Sequence, residues 1–158
     1  MRGRSWTTRS LALIATTSAT CRRSWTTCAA DASVLFDTDV LIWAQRGRVS
    51  AASLIQGNDE RLISVQTAME LLQGARDRHD LRIIKRFLSE LGFVVLPMTA
   101  DIGHRALVYV ESFALSHAMR AGDALVAATA VEHGLILATA HVRHFQGVEG
   151  LLVHHYVP

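Results

Sequence analysis

VLFDTDVLI, residues 34–42, sets three apolar residues ahead of an acid pair and three behind it. Ser33–Phe36 is short, apolar and β-prone, so it reads as a buried strand, and Val40–Trp43 reads as a short helix. Asp37 and Asp39 therefore stand where a strand ends and a helix begins. Two carboxylates in so apolar a setting need something to hold.

Outward from that stretch the chain alternates strand and helix. Ser50–Gln56 reads as a helix, Arg61–Ser64 as a strand, and Gln66–Ala75 and His79–Leu91 as helices. Phe93–Leu96 is a strand stopped by Pro97, and Thr99 caps a long helix running to about Ser116. Asp123–His133 is helical, followed by strands at Leu135–Ala138 and Leu151–Tyr156. Strands apolar on both faces and separated by helices predict an α/β fold, a three-layer α/β/α arrangement around a mainly parallel sheet of about five strands. Ligands of such sheets bind at the carboxyl ends of the strands, near the point where strand order reverses. Asp37 and Asp39 occupy that kind of position.

The formal charge of +2 over 158 residues is unevenly spread. Arg2, Arg4, Arg9, Arg22 and Arg23 lie in the first 30 residues, which hold no acid. That leaves eleven basic residues against all fourteen acids, a net of −3. Residues 1–32 are rich in Ser, Thr and Arg and repeat RSWTT at 4–8 and 23–27. Their best apolar run, Leu11–Ala15, is shorter than a secretory core, although composition alone allows an organellar transit peptide. They are expected to lie outside the fold, as a disordered leader or an over-extended start, with the domain spanning 33–158. Both cysteines, Cys21 and Cys28, fall in the leader, so the domain has no disulfide framework or thiolate site and suits a reducing cytoplasm. No apolar run approaches the roughly 20 residues of a membrane-spanning helix.

Two further acids sit in core-like sequence. Glu70 lies within TAMELLQG (67–74), and Asp123 heads GDALVAATA (122–130). Taken alone, Asp123 reads as a helix cap, Glu70 as a surface acid and Asp37 as a turn residue. Their shared context argues otherwise, since three elements of an α/β fold can bring all three together. Carboxylates at about 4 Å repel by roughly 4 kcal/mol per pair at an effective dielectric near 20. Either some are protonated or a divalent cation neutralises them. An all-oxygen site suits Mg²⁺ or Mn²⁺ and the attack of water on a phosphate ester.

Three metal-dependent α/β families place acids after the first strand. VLFDTDVLI resembles the haloacid-dehalogenase phosphatase motif, but Leu41 stands where that family wants Thr or Val. The only lysine, Lys85, lies in a mid-chain helix. A receiver domain lacks its lysine for the same reason. The third resemblance runs from Val34 to Phe145. VLFDTDVLI, TAMELLQG, GDALVAATA and GLILATAHVRHF (134–145) occur in order, and together they resemble a PIN domain of the VapC toxin type. That resemblance implies a Mg²⁺- or Mn²⁺-dependent endoribonuclease acting on tRNA- or rRNA-class substrates, a homodimer, and a cognate antitoxin that plugs the site. Asp37, Glu70 and Asp123 match the family's metal-binding acids, with Asp39 and Thr139 in support.

His141 departs from the pattern, because the family commonly carries Asp or Asn there. An imidazole favours transition metals over Mg²⁺, or it simply replaces a supporting Asn, or it helps protonate the leaving oxygen. Arg46, Arg48, Arg120 and Arg143 are candidate phosphate contacts against a mildly acidic domain. Trp43, one turn past the acids, reads as core. Two alternatives stay open: a phosphatase, which would turn over small phosphomonoesters, and a non-catalytic PIN-like module, which would bind RNA or a partner without cutting.

Overall fold

The computed structural model describes residues 33–158, so the leader reading lies outside the described residues. Five strands form one sheet: β1 (Val34–Phe36), β2 (Arg61–Ser64), β3 (Val94–Leu96), β4 (Ile136–Thr139) and β5 (Leu152–His155). The order is β3-β2-β1-β4-β5, and every pairing is parallel. The helices are α1 (Thr38–Gln45), α2 (Val49–Gln56), α3 (Val65–Gln73), α4 (Arg78–Glu90), α5 (Ala100–His117) and α6 (Ala121–Glu132). A 3₁₀ turn, Val142–Phe145, leads out of β4.

β1 explains why the sheet is covered on both sides. Its three residues are all buried, but strand alternation sends Val34 and Phe36 to one face and Leu35 to the other. Val34 and Phe36 pack with Val40 and Leu41 of α1, Ile55 of α2, Leu71 of α3 and Ile84 and Phe87 of α4. Phe93 closes that layer against the rings of Phe36 and Phe87, each centroid 6.0 Å away. Leu35 and Leu137 meet Ile102, Ala106 and Tyr109 of α5 and a small-residue face of α6 that includes Ala124, Ala127 and Ala128. Alanines let α6 lie close to the sheet, as close packing of helix on strand requires. The expected three-layer parallel architecture is therefore the observed one.

The helix starts follow from local capping. Ser64 accepts from Thr67 N–H at 3.0 Å, Asp77 from the N–H groups of His79 and Asp80, and Thr99 from Ile102 N–H. Asp37 itself caps α1, accepting from Thr38 N–H at 2.7 Å. One expectation needs correction. Asp123 does not begin its helix, because α6 starts at Ala121 and Arg120 is the cap residue. The structure also qualifies the reading of uniformly apolar strands. Val94, Val95 and Leu152 are exposed because β3 and β5 are the two edges of the sheet.

Strand order places the chemistry. From β1 the chain proceeds outward through β2 and β3, then returns to lay β4 on the other side of β1. The crevice at the carboxyl ends of β1 and β4 is the switch point of the sheet.

Candidate active site

Asp37 follows β1 directly, and its N–H donates to Ala138 O of β4 at 3.0 Å. That bond holds the chain's first acid against Thr139, which is completely buried at the end of β4. The Thr139 hydroxyl accepts from His141 N–H at 3.0 Å and donates to Asp37 Oδ2 at 2.8 Å, with Asp39 Oδ2 3.4 Å away. Asp39 Oδ2 also accepts from Ala140 N–H at 2.7 Å. One hydroxyl and one amide thus fix two carboxylates side by side.

That arrangement is electrostatically costly. Burial, then the Asp39 charge, push the Asp37 carboxyl up to about 7; Thr139 and Thr38 pull the other way, and Asp123 adds a further upward push. Asp39 is raised mainly by its own burial, opposed by the Ala140 N–H and by His141. Asp39 Oδ1 is buried and has no hydrogen-bond partner among the described residues.

Glu70 arrives from α3. Its Oε2 accepts from the Thr38 hydroxyl at 2.6 Å, one residue from Asp37, and its Oε1 accepts from Gln66 Nε2 at 2.9 Å. α6 comes up to the same carboxylate at Gly122, where a Cβ would lie 2.7 Å from Glu70 Oε1 and 3.2 Å from Gln66 Nε2. The missing side chain at 122 is what leaves room around Glu70. The next residue, Asp123, accepts from Arg120 N–H at 2.9 Å through Oδ2 and acts on Asp37 through its charge. Sequence reasoning chose Asp37, Asp39, Glu70, Asp123 and Thr139, and the fold gathers all five at the switch point.

His141 lies beside them on the solvent side, its Nε2 3.8 Å from Asp39 Oδ2 and its side chain 64% exposed. Sequence reasoning missed its neighbour. His144 stacks on His141 with ring centroids 5.6 Å apart and 13° between planes, and its Nδ1 is 3.2 Å from Asp123 Oδ2. The signal was present as two histidines three residues apart, one 3₁₀ turn. Thr38, Gln66 and Gly122 were also missed, since each acts on an acid rather than being one. Of the candidate phosphate contacts, Arg120 and Arg143 are exposed beside Asp123 and His144 in sequence, whereas Arg46 sits past the far end of α1.

Among the described residues, no three His, Cys, Asp or Glu side chains converge tightly enough to grip an ion as they stand. The donor set nonetheless fits a hard divalent cation. It is built of carboxylate oxygens, Asp39 Oδ1 lacks a partner, and a glycine keeps space open at Glu70. A cation would also relieve the repulsion that raises Asp37.

The PIN domain family model matches residues 34–149. Ribonuclease VapC10 of Mycobacterium tuberculosis is 37% identical over 122 residues, covering 75% of this chain and 90% of that protein. A toxin–antitoxin complex from Klebsiella pneumoniae contains a similar chain, with TM-score 0.65 and 28% identity, covering 78% of this chain and all of that one. DNA-bound VapBC from Salmonella typhimurium matches with TM-score 0.68 at 19% identity, over 80% of this chain and all of that one, a likeness of fold.

Proposed function

The chain belongs to the PIN domain family, and from that premise we propose that it is a divalent-metal-dependent endoribonuclease, the toxin of a toxin–antitoxin pair. The observation that carries the reading is Asp37. It is a carboxyl raised to about 7 by burial and by Asp39, at the switch point of the sheet, with Glu70 and Asp123 brought to it by α3 and α6. A buried carboxyl set beside a second one favours either a proton or a cation, and a divalent ion relieves both its burial and the repulsion. The relative named a ribonuclease supports the same activity, and the similar chain in a toxin–antitoxin complex supports a cognate antitoxin as partner.

In this reading Asp37, Glu70 and Asp123 hold Mg²⁺ or Mn²⁺, which supplies charge neutralisation at the phosphate and makes water a better nucleophile. The chain's own groups set the stage. The Thr139 hydroxyl aims Asp37, the Thr38 hydroxyl aims Glu70, and the Arg120 N–H aims Asp123. Asp39, fixed by Ala140 N–H, has a free Oδ1 on which a proton released by the attacking water can be lodged. Water adds to phosphorus, a P–O ester bond breaks, and the departing oxygen takes up a proton. The products are a phosphomonoester and a free hydroxyl. His141, half out in solvent beside Asp39, can pass protons between that acid and bulk water. A tRNA- or rRNA-class substrate, a homodimer and a cytoplasmic setting complete the proposal. No helix among the described residues is long and apolar enough to cross a membrane.

The test is Asp123→Asn. Losing one ligand charge should reduce Mn²⁺- or Mg²⁺-dependent RNA cleavage at least ~100-fold, the upper range for disturbing a metal's surroundings, while thermal stability holds. Full cleavage by a folded Asp123→Asn protein would falsify the ligand assignment.

A further inference from the structure

The segment WAQRGR, residues 43–48, closes α1 in a way that the acids do not require. Gly47 takes φ 78°, its N–H donates to Ala44 O at 3.0 Å, and Arg48 N–H donates to Trp43 O at 3.1 Å. These two bonds make a Schellman ending, for which glycine is suited because it lacks a Cβ. The reversal brings residues from both sides of Gly47 back over the last turn. The Arg46 Cζ lies 5.0 Å from the centroid of the Trp43 ring, and the Arg48 Cζ lies 5.3 Å from it. Both distances fall inside the range of cation–π attraction.

Neither guanidinium is ion-paired among the described residues, and both are exposed. Arg76, Arg86 and Arg105, by contrast, each hold a carboxylate. Two like charges are therefore seated on one half-buried indole, with no carboxylate paired to either among the described residues. Such a pair is pre-ordered for an anion that brings more than one negative charge.

Its position says which anion. Trp43 follows Asp39 by four residues, so both lie on one face of α1, and Arg46 continues that face three residues later. Seven residues of helix rise about 10 Å, roughly three nucleotides at the ~3.4 Å stacked spacing of a strand. We propose that Arg46 and Arg48, seated on Trp43, dock the phosphates of a single-stranded RNA about three nucleotides from the bond to be cut. The proposal rests on the ribonuclease reading and assigns part of its substrate path. Flat guanidinium planes backed by an indole also suit unpaired bases, which stack on such surfaces.

The test uses the full chain in EDTA, which withholds the divalent ion, and a fluorescein-labelled unstructured 12-nucleotide RNA followed by anisotropy across a KCl series. The double variant Arg46→Gln/Arg48→Gln should flatten the slope of log K against log salt by about 1.4, from ~0.7 per single-strand phosphate contact. That corresponds to roughly ten-fold weaker binding near 150 mM salt. Arg78→Gln/Arg82→Gln, which removes the same charge from α4, should leave the slope unchanged. Trp43→Leu keeps both cations but removes their seat, and should weaken binding as well. With Mn²⁺ restored, the double variant should show a raised KM and an unchanged kcat. Equal slopes for wild type and the double variant, or an equal effect of the α4 control, overturn the platform while leaving the nuclease reading intact. Loss of antitoxin binding with RNA affinity unchanged overturns it too, because the surface then serves a protein. A wild-type protein that neither binds nor cuts RNA overturns the ribonuclease reading and the platform together.

Discussion

Gly122 governs the acids without being one of them. Its Cα faces the Glu70 carboxylate so closely that an added methyl would sit 2.7 Å from Oε1. Glu70 and Gln66 are flexible side chains, so they can swing away and the fold survives. Alanine is also the better residue inside a helix, by about 1 kcal/mol. Gly122→Ala should therefore hold or raise the melting temperature while weakening Mn²⁺ binding by calorimetry and slowing cleavage by at least ~10-fold. Loss of stability with metal affinity intact would reverse the argument. At this scale the sequence was legible wherever an acid interrupts apolar residues, as at Asp37, Glu70 and Asp123. It was opaque wherever a residue matters through space. Thr38 reaches Glu70 across 32 positions, and Gly122 is one of ten glycines. His144 escaped notice because an imidazole near a strand end carries no periodic signal.

At the scale of elements, α1 and β4 force Asp37 and Asp39 together, and that has a measurable consequence. The Asp37 carboxyl stands at about 7 in the folded chain against 3.8 as a free side chain. The folded state thus holds this proton more tightly than the unfolded state does. The stability this gives is complete below about pH 4 and is lost as pH rises through about 7. In the metal-free protein each pH unit inside that window should cost up to about 1.4 kcal/mol from this group. Asp37→Asn removes the titration, so its melting temperature should fall less between pH 5 and 8 than that of wild type. A divalent ion offsets the repulsion, so Mn²⁺ should raise the wild-type melting temperature more at pH 8 than at pH 5. Parallel melting curves for wild type and Asp37→Asn across that range would sink the account. The boundaries of the elements were less legible than their existence. α1 begins at Thr38, two residues before its first apolar residue, because Asp37 caps it. α6 begins two residues before Asp123, since the acid bonds back to Arg120 N–H from inside the first turn.

For the whole molecule, the parallel sheet was legible because β1 and β4 are buried on both faces, and only covered sheets tolerate that. The strand order was not legible, since no local pattern in β4 announces that it will return beside β1. Whether residues 1–32 belong to this architecture is a question of composition. Residues 1–32 carry five arginines and few large apolar residues, so they bring little apolar surface to bury. We propose that residues 33–158 suffice for this fold. Among the described residues its first bonds lie at Ser33, whose carbonyl accepts from Ile136 N–H at 3.1 Å and whose hydroxyl donates to Glu60 at 2.7 Å. A chain beginning at Ser33 should match the full protein in melting temperature and in cleavage rate. A chain beginning at Val34 drops those bonds and should lose about 1 kcal/mol, measured by denaturant unfolding. Trypsin acting on the full protein should cut first at Arg2, Arg4, Arg9, Arg22 and Arg23 and leave a resistant fragment that starts at Ser24. The shortened chain should bind RNA with a shallower salt dependence, since five cations are gone. A Ser33 start that melts well below the full chain, or arginines in the leader that resist trypsin, would mean that residues 1–32 pack against the domain.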